Sequence, residues 1–296
     1  MAITASMVKD LREKTGAGMM DCKKALTECD GDMAKAVDWL REKGIAKAAK
    51  KASRIAAEGL GKVVVDGNNA VLVEMNSETD FVAKNEQFLA VLDTVAHTIL
   101  AAKPANVEEA LTLTTANGGT INDLIVDATA TIGEKITLRR FEILTKEDDD
   151  AFGSYAHMGG KIIAAVVVTP NKEGVAKNIA MQVASMNPTY ISQDKMPAEI
   201  VDHERKVQLE IMKNNPADAA KPDAIKEKML VGRVSKALQD MCLLDQEYFL
   251  DSNLKVAKFL QQEGASVKQF VRYAIGEGIE KREENFAEEV AKQIAQ

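Results

Sequence analysis

One order of elements occurs twice along this chain, and it restricts the fold more than any other feature. GKVVVDGNNAVLVEMN (61–76) has the Val-rich character of two strands, with DGNN as the turn between them. NEQFLAVLDTVAHTIL (85–100) then places Phe88, Leu92 and Val95 on one helical face, and after a polar stretch GEKITLRRFEIL (133–144) returns to strand character. The second pass runs through strand-like GSYAHMGGKIIAAVVVT (153–169), helical GVAKNIAMQVASMNP (174–188), halted by Pro188, and FVRYAIGEG (270–278) as a closing strand. Two related α+β subdomains with antiparallel sheets account for this, over 55–148 and over 149–189 with 242–276.

Between Pro188 and the closing strand lies a helical insertion, 190–241. PAEIVDHERKVQLEIMKN and PDAIKEKMLVGRVSKALQDM flank NPADAAK, a polar turn. Val231, Val234, Leu238 and Met241 are spaced 3, 4 and 3, the pattern of a coiled-coil seam, which predicts a protruding hairpin. Its seam can close on the partner helix or on a second copy of the chain. The last residues, 277–296, form a C-terminal module in which Phe286, Val290 and Ile294 predict a short amphipathic helix.

Ahead of the repeated part, 1–54 reads as three short helices and a basic linker. Thr4 or Ser6 can cap the first, with Met7, Val8 and Leu11 on one face and Gly16 as its stop. MMDCKKALTEC forms the second. Asp30-Gly31-Asp32 leads into the third, MAKAVDWLREK, expected to end at Gly44. AKAAKKASR (46–54) follows as a solvated helical linker. An RNA-binding reading of it lacks an aromatic to stack on a base.

Charge narrows the function. The net charge of −7 is uneven: residues 1–54 hold 12 Lys and Arg against 8 Asp and Glu, the remainder 26 against 37. A mildly basic head on an acidic body lacks the broad basic surface of a general nucleic-acid binder and suits docking on proteins. The longest apolar run, IIAAVVV (162–168), is too short for a membrane span, and the charged N-terminus has no signal-peptide character. A cytoplasmic location is expected. Cys22, Cys29 and Cys242 form no CxxC pair, and His97, His157 and His203 have no nucleophile or ligand partner at motif spacing. GxSxG, HExxH and GxxxxGK[ST] are all missing, so neither intrinsic catalysis nor a cofactor is expected.

LREKTGAGMMDCKKAL (11–26) and SETDFVAKNEQF (77–88), in that order, with GSYAHMGGKI (153–162) and IGEGIEK (275–281), resemble the elongation factor Ts family. The resemblance implies a UBA-like head and a guanine nucleotide exchange factor that binds elongation factor Tu, dislodges Mg2+ and promotes GDP release. It implies that Thr79, Asp80, Phe81 and Val82 are the intruding element. Arg12, Met19, Met20 and Lys23 of the head, Ile132 and Gly133, and His157 would be further partner contacts. A homodimer through the hairpin would give a 2:2 complex, with no direct nucleic-acid or membrane contact.

The residues alone give a blander reading of the same site. Asp80 is then an N-cap, Phe81 a core ring, and Met19 and Met20 core filler of which at least one must face outward. Two other functions stay open at this level: an RNA-binding module using Lys47, Lys50 and Lys51, and a helical scaffold assembled through its hairpin.

Overall fold

A computed structural model describes residues 3–280. The head comprises α1 (Ala5–Thr15), α2 (Met19–Glu28) and α3 (Met33–Lys51). The N-terminal half of the core follows as β1 (Glu58–Asp66), β2 (Asn69–Ser77), α4 (Asp80–Ala83), α5 (Glu86–Ala102), α6 (Val107–Thr112), α7 (Ile121–Ile132) and β3 (Thr137–Thr145). The second half has β4 (Ala151–His157), β5 (Ile162–Thr169) and α8 (Glu173–Met186) before the hairpin of α9 (Ala198–Asn214), α10 (Pro216–Ala219) and α11 (Asp223–Leu238). It ends with β6 (Glu247–Tyr248), β7 (Asp251–Lys255), α12 (Val256–Glu263) and β8 (Ser266–Ala274). The C-terminal helix expected around Phe286, Val290 and Ile294 lies outside the described residues.

The doubled order of the sequence becomes two three-stranded antiparallel sheets of the same plan, β1-β2-β3 and β4-β5-β8. In each, a hairpin receives its third strand along the free edge of its second strand. The first hairpin turns over two residues, Gly67 and Asn68, with Asp66 opposite Asn69 and Gly67 at φ +52°. The alternation of side chains then stacks the layers. On β2, Val71, Val73 and Met75 face the cluster built by Phe88, Leu92, Val95 and Ile99 of α5 with Ile121 and Ile125 of α7. Ala70 and Leu72 face the other way, onto Ile163 and Ala165 of β5 and Tyr273 of β8. On β5, Ala164, Val166 and Val168 meet Ile179 and Val183 of α8. The order of layers is helices, sheet, sheet, helix, so β5 is covered on both faces, which is why IIAAVVV carries no polar residue.

Close approach between layers needs glycine. A Cβ at Gly160 would lie 2.8 Å from the carbonyl oxygen of Gly61, where the two halves meet. At Gly153 a Cβ would sit 2.0 Å from the Ala176 carbonyl oxygen of α8. Gly153→Ala is therefore expected to push α8 off its sheet and cost about 1–3 kcal/mol, seen as a lower denaturant midpoint. An unchanged midpoint would mean that α8 does not pack on β4 this closely.

Four local expectations are corrected. α3 does not stop at Gly44: it runs on to Lys51 and takes in the first six residues of the supposed linker, leaving 52–54 outside the helix. Gly44 sits where α3 crosses α7, its would-be Cβ 3.3 Å from that of Ala130, so this glycine serves interhelical contact and not a cap. The polar stretch before β3 contains α6 and α7. The latter is opened by a capping box in which Thr120 Oγ1 accepts from the Asp123 N–H and Asp123 accepts from the Thr120 N–H.

In the hairpin, the inner row is Leu230, Val234 and Leu238 against Met212, while Val231 is 57% exposed and outside it. NPADAAK is more than a turn: α10 forms within it, and the buried Asp218 is held by Lys221 (3.0 Å) and by Arg233 of α11 (2.6 Å). Cys22 and Cys242 are buried free thiols in no disulfide, and burial pushes both up, that of Cys242 to about 11.

Candidate functional site

The segment SETDFVAKN links the end of β2 to the start of α5 through the single turn of α4. So short a helix has no stability of its own. It is anchored by Val82, which joins the first core, by burial of Ala83, and by Thr79, whose Oγ1 accepts from the Val82 N–H at 3.4 Å. Asn85 then caps α5, its Oδ1 accepting from the amides of Gln87 and Phe88. With Val82 and Ala83 inside, the turn puts Asp80 and Phe81 outside. Phe81 is 80% exposed, the most exposed of the large hydrophobic side chains described. The bland reading fails on both residues: the cap is Thr79, and the ring of Phe81 is not in the core. Asp80 pairs with Lys84 at 3.0 Å on the surface, a contact that contributes little to stability.

Two carboxylates fix this turn, Glu78 from within the segment and Glu134 from the far side of α7, and neither was among the expected site residues. Glu134 accepts from the Thr79 N–H (2.9 Å) and from the Thr79 hydroxyl (2.7 Å). Glu78, next to Thr79, accepts in return from the Lys135 N–H at 2.6 Å. Ile132 and Gly133 immediately precede this contact: Ile132 closes α7 half-buried, and Gly133 is exposed at φ +94°. The end of the head joins the same cluster. Arg54 lies 3.3 Å from Glu78, and Lys135 Nζ donates to the carbonyls of Ala52 (2.7 Å) and Arg54 (2.9 Å).

The remaining expected positions fall on the other parts. Arg12, Met19, Met20 and Lys23 are all exposed on α1 and α2, with both methionines in solvent, at 56% and 74%. The head is held to the core by the crossing of α3 with α7 and by Arg41–Asp123 at 3.1 Å. His157 ends β4, half-buried, with its Nδ1 3.4 Å from the Tyr155 hydroxyl. Beside it Met158 is 71% exposed at φ +50°, a left-handed backbone that non-glycine residues rarely adopt. That methionine was also missed, since no sequence pattern announces a left-handed methionine. Among the described residues, no group of three or more His, Cys, Asp or Glu side chains is disposed to hold a metal ion.

Such a molecule belongs to a definite class: a layered α+β protein that carries a preformed apolar protrusion on a braced turn. The model of the elongation factor Ts family matches residues 78–277, more than half of the chain and nearly all of the SETDFVAKN segment. The chain belongs to the elongation factor Ts family, and by that membership it is a translation elongation factor. No described helix is long and apolar enough to cross a membrane.

Proposed function

We propose that this protein is a guanine nucleotide exchange factor for elongation factor Tu, and that Asp80 and Phe81 are the element that enters the partner's GTPase domain. The observation that carries this reading is the 80% exposure of Phe81 on a turn whose next two residues are buried. An exposed ring on a mobile loop would lose ordering entropy on binding. A ring on a turn anchored by Val82 and Ala83 is already ordered. Magnesium is bound near-octahedrally by few protein ligands, so a small displacement of their supports releases it, and GDP follows. Phe81 supplies the displacement. Asp80, released from Lys84, offers a carboxylate to a donor on the partner.

The wider interface is assigned to the exposed Arg12, Met19, Met20 and Lys23 of the head, to Ile132 and Gly133 beside the turn, and to His157 on the second sheet. Val82 and Thr79 act from within, as anchor and cap. The parts then divide the work as head (1–54), core halves (55–148, and 149–189 with 242–276), hairpin (190–241) and C-terminal module (277–296). Exposed Val207, Ile211, Ile225 and Val231 make the hairpin the surface for a homodimer, and hence for a 2:2 complex. The lysine-rich end of α3 is assigned a structural role: Lys47 pairs with Asp21 at 2.8 Å, and Lys51 donates to the Thr129 carbonyl at 3.5 Å.

Linkage gives the test. If this protein lowers the partner's affinity for GDP, GDP lowers the partner's affinity for this protein by the same factor. Calorimetric titration is expected to show tighter binding to nucleotide-free elongation factor Tu than to its Mg-GDP form, by about 5–150-fold or more. Equal affinities for the two forms would exclude exchange activity.

A further inference from the structure

We infer that Glu78 and Glu134 form a reciprocal clamp that positions the Phe81 turn, and that Glu134 is a positioning residue for exchange. This rests on the reading of Phe81 as the intruding ring. The two glutamates are 56 residues apart, yet each accepts a backbone N–H from the residue following the other: Glu134 from Thr79, Glu78 from Lys135. Carboxylates accepting amide hydrogens make short, strong bonds with defined direction. Here they close a ring around two turns that both carry expected contact residues, Asp80–Phe81 on one and Ile132–Gly133 on the other.

The second oxygen of Glu134 takes the Thr79 hydroxyl, so it also orients the side chain that caps α4. Arg54 on Glu78 and Lys135 Nζ on the Ala52 and Arg54 carbonyls extend the ring to the end of the head. One cluster therefore fixes the finger, the neighbouring contact turn and the chain that leads from the head. Val82 and Ala83 alone would keep α4 attached to the core, but they leave its rotation to the residues on either side. Glu134 fixes it on the side of Thr79.

The test uses the full-length protein as wild type, Glu134→Ala, Glu134→Gln, Phe81→Ala and the double variant Glu134→Ala/Phe81→Ala. Two readouts are needed: amide hydrogen exchange of the free protein at Thr79, and release of fluorescent GDP from elongation factor Tu. Glu134→Ala is expected to lose protection at Thr79 and to slow GDP release by about tenfold, the weight of a hydrogen bond to a charged group. The melting temperature is expected to fall by only a few degrees, so the variant stays folded in the assay. Glu134→Gln keeps an oxygen for the Thr79 N–H and an amide for the hydroxyl, and is expected to restore most of both readouts.

In the Phe81→Ala background, Glu134→Ala is expected to add almost nothing, because both act through one ring. Unchanged protection at Thr79 would overturn the clamp, and fully additive losses would overturn its action through Phe81. Wild type that releases GDP no faster than the intrinsic rate would instead sink the exchange reading. The amide data would still decide whether the clamp exists.

Discussion

Phe81→Ala is expected to slow GDP release from elongation factor Tu by about 30- to 1,000-fold while leaving the melting temperature within about 2 °C of wild type. The two halves of this result have separate causes. A ring that is 80% exposed makes little contact with its own core, and surface substitutions of that kind stay within about 0.5 kcal/mol. The same ring, if it fills a cavity on the partner, is the central aromatic of the interface. Truncating such an anchor costs about 2–4 kcal/mol. Burial of a phenylalanine side chain accounts for about 1.5–3 kcal/mol of that, and loss of fit accounts for the rest. Thermal melting and exchange kinetics on one preparation separate the effects. A variant that melts far earlier would return Phe81 to the protein's own packing.

Glu74→Gln is expected to produce the opposite pattern, a large loss of stability with no direct effect on the finger. Glu74 is fully buried on β2, where it accepts from Arg139 (2.9 Å), Arg140 (2.6 Å), Asn76 (3.1 Å) and the Gly276 N–H (2.8 Å). Arg140 also donates to the Ala274 carbonyl and stacks on Tyr273 of β8, 4.1 Å from its ring centre. Glu74 thus joins the first sheet to the end of the second. Breaking a buried pair by removing one partner typically costs 3–5 kcal/mol. Both arginines keep part of their surface in water, so a loss near the lower end, about 3 kcal/mol, is expected here.

The dependence on pH has a defined sign. Burial pushes the Glu74 carboxyl up, but the Gly276 N–H and the two guanidinium groups outweigh it and hold the carboxyl below its ordinary value of 4.5. A depressed carboxylate stabilises the fold above that ordinary value, and the contribution disappears as pH falls through the folded-state value. The gap in stability between wild type and Glu74→Gln is therefore expected to be full at neutral pH and to narrow as the pH drops below about 4.5. Urea titrations across that range measure it. A gap that does not change with pH would mean that folding leaves the Glu74 carboxyl unshifted, and a gap that widens as the pH falls would mean that the fold holds it protonated.

The layered core was legible because its signals are local. The Val-rich runs of VVVDGNNAVLV, the turn at Gly67 and Asn68, and the apolar face of α5 are each signals carried within a few residues. The failures have equally specific causes. Gly44 carries the sequence signature of a helix stop, but the crossing with α7 outweighs the local propensity. α7 was overlooked because its Thr and Asp residues dilute the apolar period, although Thr120 and Asp123 stand at capping-box spacing.

Val231 fits a 3-4-3 seam on paper, yet the row that packs is 230, 234 and 238. At the site, residue chemistry alone assigned Phe81 to the core, because a lone aromatic next to an acid carries no mark of which way it points. Its exposure follows from Val82 and Ala83 taking the inward positions. The clamp of Glu78 and Glu134 could not be read at all, since it depends on two turns brought together by the fold.

The central claim is that this protein discharges GDP from elongation factor Tu through an exposed, braced finger. Stopped-flow release of fluorescent GDP, with wild type and with Asp80→Ala/Phe81→Ala at several concentrations, tests it most directly. The account predicts release that accelerates with wild-type concentration and then saturates, and a folded double variant that is slower at every concentration. Release at the intrinsic rate with wild type, or equal acceleration by both proteins, would contradict it.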